Sequence, residues 1–138
     1  LLEPGEKMRL ENVVFDNIRF ETGVEIALPE ELRGKDLDVS QLRFDIDTAN
    51  KESWLFIGRP VVNRYMRTQE PGHIKNVVIR NITADGLPSY CGILFGGADE
   101  EHRTEGLTIE NVKVFGQKLD AKSPTIHIGD FIDDVEIK

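Results

Sequence analysis

Apolar and polar residues alternate along VVIRNITADG (77–86) as far as Asn81, where the alternation restarts one step out of phase. Val77 and Ile79 share a face, as do Ile82 and Ala84, but the step from 79 to 82 is odd. Period-two alternation marks a half-buried strand. A phase reset at one residue marks a sharp bend with that residue in an unusual backbone conformation. Asparagine suits the bend, because it enters the left-handed region more readily than most residues and can hydrogen-bond locally. The same frame recurs in VVFDNIRF (13–20) around Asn17 and in LTIENVKV (107–114) around Asn111. Each copy has apolar residues four and two positions before the Asn, and one and three after it.

A second motif, a short apolar strand closed by glycine, recurs as LFIG (55–58), ILFG (93–96) and IHIG (126–129). The two motifs alternate along the chain as Asn17, Gly58, Asn81, Gly96, Asn111, Gly129, and DDVEIK (133–138) opens another Val-x-Ile. Asn81 and Asn111 are 30 residues apart. A β-type repeat of this length predicts an all-β solenoid of about three to four coils, each with three short strands and three turns. The architecture is a parallel β-helix in which Asn17, Asn81 and Asn111 stack in one line. A β-sandwich with similar strands is the competing arrangement, but gives no reason for strict alternation of both motifs. Residues 28–53 (LPEELRGKDLDVSQLRFDIDTANKES) fit neither motif and read as an insertion, with a short helix near Pro29–Leu32 and an extra strand near Leu42–Ile46.

Composition narrows the class. With 138 residues the chain is one domain's length. Acids outnumber bases 25 to 17, for a net charge of −8, which disfavours nucleic acid or an anionic membrane as the main partner. No apolar run is long enough for a membrane-spanning helix. Cys91 is the single cysteine, so no internal disulfide or cysteine metal cluster forms, and its apolar surroundings read as core. No cofactor or metal is expected. The start Leu1-Leu2-Glu3-Pro4 has no Met and no signal peptide, and reads as a mature form or an excised piece.

The segments GHIKNVVIRNITADG (72–86) and GGADEEHRTEGLTIENVKVFGQK (96–118), with support from ENVVFDNIRFETG (11–23), resemble the right-handed parallel β-helix of the pectin-lyase-like superfamily. The closest similarity is to glycoside hydrolase family 28, the polygalacturonase family. The resemblance implies a secreted or periplasmic protein of the pectin-degrading type that meets a polysaccharide or oligosaccharide. That family's catalytic aspartates, Gly-His-Gly and Arg-Ile-Lys are not matched here. Gly72-His73 is followed by Ile74, Gly129-Asp130 by Phe131, and Arg80 by Asn81. The chain therefore resembles the C-terminal coils, with the catalytic centre upstream and contact to those coils, or self-association through open ends, as further partners.

Candidate chemistry is sparse. Glycosidic hydrolysis needs two carboxyl groups held about 5–10 Å apart. Asp99-Glu100-Glu101-His102 and Asp130, Asp133 and Asp134 read instead as solvated turns, and the latter spacing matches no calcium loop. His127 lies between inward Ile126 and Ile128, so it points outward with Phe56 and Leu94 as row-mates, a face that needs a cover. In the resembling family that face is the substrate groove. Trp54 and Tyr90 precede their strands where a ring can stack on a sugar, and Arg59 and Arg103 lie in turns where they can pair a uronate. Asn81-Ile82-Thr83 matches the glycosylation pattern, but a stacked Asn81 has its amide occupied. Three readings stand: part of a polysaccharide-acting enzyme, a non-catalytic carbohydrate-binding or structural module, and an adhesin-like β-helical fragment.

Overall fold

A computed structural model describes residues 1–21, 54–85, 92–114 and 116–138. The expected insertion 28–53, with its helix and strand, lies outside these residues, as do Tyr90 and Cys91. The described residues form only strands and turns, so the all-β expectation holds. No helix among them is long and apolar enough to cross a membrane.

The strands are β1 (Arg9–Glu21), β2 (Trp54–Gly58), β3 (His73–Asp85), β4 (Gly92–Phe95), β5 (Thr104–Val114), β6 (Gln117–Lys118), β7 (Ile126–Ile128) and β8 (Ile132–Ile137). One sheet runs β1-β3-β5-β8 in parallel, and β6 turns back antiparallel on the end of β5. A second parallel sheet runs β2-β4-β7. The chain visits the two sheets alternately, as the alternating motifs require.

Register follows the sequence repeat. Val13, Val77, Leu107 and Val135 stack in one row, and Phe15, Ile79, Ile109 and Ile137 in the next. Beyond the bend, Ile18, Ile82 and Val112 form a third row, and Phe20, Ala84 and Val114 a fourth. These rows make up most of the buried core. The second sheet closes it: Phe56 lies 5.1 Å from the Phe15 ring and 5.9 Å from the Phe20 ring. Thr104, fully buried, joins the sheets by donating its hydroxyl to the Gly96 carbonyl at 2.8 Å.

The bends have the expected cause. Asn17, Asn81 and Asn111 have φ of 57°, 53° and 49°, the left-handed region in which Asn is among the few tolerated side chains. The flanking pairs Asp16–Arg80 and Ile18–Ile82 place Asn17 opposite Asn81. The amide chain differs in one step. Asn111 donates to the Asn81 side-chain oxygen at 2.8 Å, but Asn81 donates to Asp16 at 2.8 Å rather than to Asn17.

Three expectations need correction. The residues flanking each Asn do not enter separate strands, because inter-strand pairing continues through the bend and keeps both sides in one sheet. Second, each long strand bends twice. Five residues earlier, Asn12, Asn76 and Gly106 also have positive φ, of 59°, 53° and 78°, as does Asp134, opposite Gly106 in β8, at 54°. Asn76 donates to Asn12 at 3.1 Å, and a Cβ on Gly106 would approach the Asn76 oxygen to 3.0 Å, so glycine fits there. Third, the row-mates of His127 are Ile57 and Leu94. A register shift between Trp54 and Phe56 exchanges the faces that LFIG implies, turning Phe56 into the core with Ile93 and Ile126.

Candidate functional site

The turns leading into β1, β3 and β5 bring five titratable side chains together. Asp99 accepts hydrogen bonds from the backbone N–H groups of Glu101 and His102, at 2.9 and 2.8 Å, which closes the turn locally. The same oxygen lies 2.8 Å from His102 Nδ1. The His102 side chain is buried, its ring 5.0 Å from that of His73 at an interplanar angle of 37°. Its Nε2 faces Glu70 at 3.8 Å, and Glu70 pairs with Lys7 at 2.9 Å.

Both carboxyl groups are held below their ordinary values, Asp99 chiefly by the His102 side chain and Glu70 chiefly by Lys7. An ionised Asp99 can only accept, so Nδ1 of His102 carries the hydrogen and Nε2 is left toward Glu70. The arrangement fixes an imidazole between two carboxylates. It offers no protonated carboxylic acid for donation to a leaving group. Among the described residues no three His, Cys, Asp or Glu side chains are placed to hold a metal ion.

Arg103, in the same turn, is engaged by its own protein. It reaches Asp133 with two nitrogens at 2.5 and 2.8 Å, and Glu100 at 2.8 Å. These contacts lower the Asp133 pKa and raise that of Arg103, with the Asp133 hydrogen bond the largest cause. The guanidinium also lies 5.9 Å from the Phe131 ring centroid. Its bidentate face, the one a uronate would use, is therefore occupied. Arg59 is half-exposed, with Glu3 at 3.5 Å.

Trp54 is 7% exposed and packs with Ile57 and Leu94 in a second apolar cluster. Its indole covers Gly92, where a Cβ would come within 2.4 Å of the ring, and meets His127 edge-on at 5.2 Å. The ring is thus spent on packing, with little face left for a sugar. His127 is half-buried, and its Nε2 finds no hydrogen-bond partner among the described residues. Burial lowers its pKa.

Of the residues singled out from sequence, Trp54 and His127 are brought together, Arg103 stands apart in the acidic turn, and Arg59 lies beyond the end of β2. Sequence reasoning took Asp99–His102 for a solvated turn. It missed that His102 is buried against His73, for which the local signal was that His73 opens a long strand and His102 lies two residues ahead of the next. No family model, curated protein or solved structure matches this chain.

Proposed function

We propose that the chain is a segment of a right-handed parallel β-helix from a carbohydrate-active protein of the pectin-degrading, polygalacturonase type, corresponding to its C-terminal coils. In this reading it binds and supports rather than cleaves. The observation that carries it is the repetition itself: two parallel sheets visited in turn, with strands 30 residues and 64 residues apart paired in the same register around left-handed Asn bends. The motif resemblance supplies the carbohydrate.

The non-catalytic assignment has separate support. A glycosidase of the two-carboxyl kind needs one carboxyl group with a raised pKa to protonate the leaving oxygen. Among the described residues, the carboxyl groups with displaced pKa values, Asp16, Glu70, Asp99 and Asp133, are all displaced downward. A purely structural module is the second reading, favoured by the internal pairing of Arg103 and the burial of Trp54.

The test is incubation of the chain with polygalacturonate. Binding without release of reducing ends is the expected result. Reducing-sugar release by this chain alone would overturn the non-catalytic assignment, and absence of binding to any pectic polymer would leave the structural module.

A further inference from the structure

Between Trp54 and Gln69 the chain carries three arginines and no acidic residue, in a protein of net charge −8. Two of them, Arg64 and Arg67, flank Tyr65 at the tip of the segment between β2 and β3. This tip is built rather than loose. The Asn63 carbonyl accepts from Met66 N–H at 3.1 Å, and the Asn63 side-chain oxygen accepts from Tyr65 N–H at 2.9 Å. The Gln69 amide spans the loop, donating to the carbonyls of Asn63 and Met66 at 3.2 and 2.9 Å.

Its base is tied down as well. Val61 and Gly72 both donate to the Pro4 carbonyl, at 3.0 and 3.1 Å, and Arg67 N–H donates to the Glu6 carboxylate. Met66 turns inward against Gly5, where a Cβ would come within 2.1 Å of the Met66 methyl carbon.

What the tip displays is unusual for this surface. Tyr65 is 78% exposed. The Arg64 guanidinium lies 4.7 Å from the Tyr65 ring centroid and donates to its hydroxyl. Arg9, Arg19, Arg59, Arg80 and Arg103 each pair with a carboxylate. Among the described residues Arg64 and Arg67 pair with none. Glu6 and Glu70 flank the loop but are engaged, Glu6 with the Arg67 backbone and Glu70 with Lys7. Two unneutralised guanidiniums in an acid-rich protein, held beside an exposed aromatic ring, suit a ligand with anionic groups on rings that present C–H-rich faces. Guanidinium takes a carboxylate in a two-pronged grip, and the ring stacks on the sugar face. A preformed loop loses little conformational freedom on binding.

We propose that Arg64, Tyr65 and Arg67 form a binding site for a carboxylated glycan, separate from the outer row of the β2-β4-β7 sheet. The inference rests on the carbohydrate reading above and names where the acidic groups are held. Nucleic acid fits less well, because its dense charge meets the repulsion of the whole acidic protein.

Affinity electrophoresis of the full chain through gels containing polygalacturonate, neutral dextran, dextran sulfate or single-stranded DNA tests it. Retardation by polygalacturonate and not by dextran is expected. Arg64→Ala/Arg67→Ala weakens it about tenfold or more, and Arg64→Lys/Arg67→Lys retains only part, since charge without the planar fork is a poorer grip. Tyr65→Ala weakens it about fivefold or more, within the range of an aromatic stacking contact. Lys122→Ala, on a different turn, leaves it unchanged. Unaltered thermal unfolding of the variants keeps the loss attributable to binding. Wild-type binding that survives the double Ala variant sinks this site and leaves the carbohydrate reading standing, whereas no polysaccharide binding by wild type sinks both. Retardation by dextran sulfate or DNA stronger than by polygalacturonate overturns the ligand class.

Discussion

The side-chain amide of Asn111 donates to that of Asn81 across 2.8 Å, and both residues hold left-handed backbone angles at equivalent points of neighbouring strands. Conformation and hydrogen bond are separable by substitution. Asn81→Ala loses the bonds and leaves at this φ a residue without the local side-chain hydrogen bonding that lets Asn adopt it, costing about 1–3 kcal/mol. Asn81→Gly loses the bonds but relaxes the backbone, and should cost about 1 kcal/mol less than Ala at this position. Urea unfolding measures both, and equal losses would mean the backbone conformation is not what selects Asn.

Ile79 is fully buried between Phe15 and Ile109 in the second core row. Ile79→Ala should cost about 2–5 kcal/mol, the range for a large aliphatic truncated in a packed core. Val78 points to the other face of the same strand and is only half-buried. Val78→Ala should cost clearly less, and comparable losses in urea would contradict the face assignment.

Trp54 sits over Gly92 so closely that any Cβ collides with the indole. Gly92→Ala should therefore destabilise by about 1–3 kcal/mol through overpacking. In a Trp54→Leu background the same change should cost much less. A double-mutant cycle with no coupling would show that the indole does not occupy this position.

The Arg103–Asp133 pair gives a pH signature. Arg103 holds the Asp133 carboxyl below its ordinary 3.8, so the folded state binds that proton less readily than the unfolded chain. The contribution is present above 3.8 and is lost as pH falls through the lower folded value. Arg103→Met should move the Asp133 titration upward toward 3.8, followed by carboxyl NMR, with acid unfolding less steep. An unchanged Asp133 midpoint would rule out the pairing.

His127 adds a milder dependence at higher pH. Burial depresses its pKa below 6.5, so its neutral form favours folding above that value and protonation erodes stability as pH drops beneath it. His127→Leu, matching its row-mates Ile57 and Leu94, should flatten the stability curve below the ordinary histidine value of 6.5. A slope that persists in this variant would assign it to another group.

Much of the first sheet was legible because its determinants are local. Alternation sets which residues face inward, and a left-handed φ selects Asn, so the four core rows and the bends at 17, 81 and 111 follow from short windows. The second row of bends obeys the same physics but is filled by Asn12, Asn76, Gly106 and Asp134, a mixture of types that hides the repeat. Phe56 was assigned to the wrong face because the shift after Trp54 is a backbone event without a residue signature. Arg103 looked available because Asp133 lies 30 residues away and is brought to it only by the pairing of β5 with β8. The loop at Tyr65 went unnoticed, since it belongs to neither repeated motif.

β1 and β3 pair with equivalent residues 64 positions apart, while β3 and β5 do so at 30, and the register is the same in both. Spacing along the chain is thus irrelevant to alignment across it. Added length between strands leaves every core row intact, whereas one residue deleted between Val77 and Ile79 would invert the facing of all that follows up to the next bend. The molecule behaves like text read in frame: it absorbs long inserted passages at the margins and fails at a single dropped letter within a line.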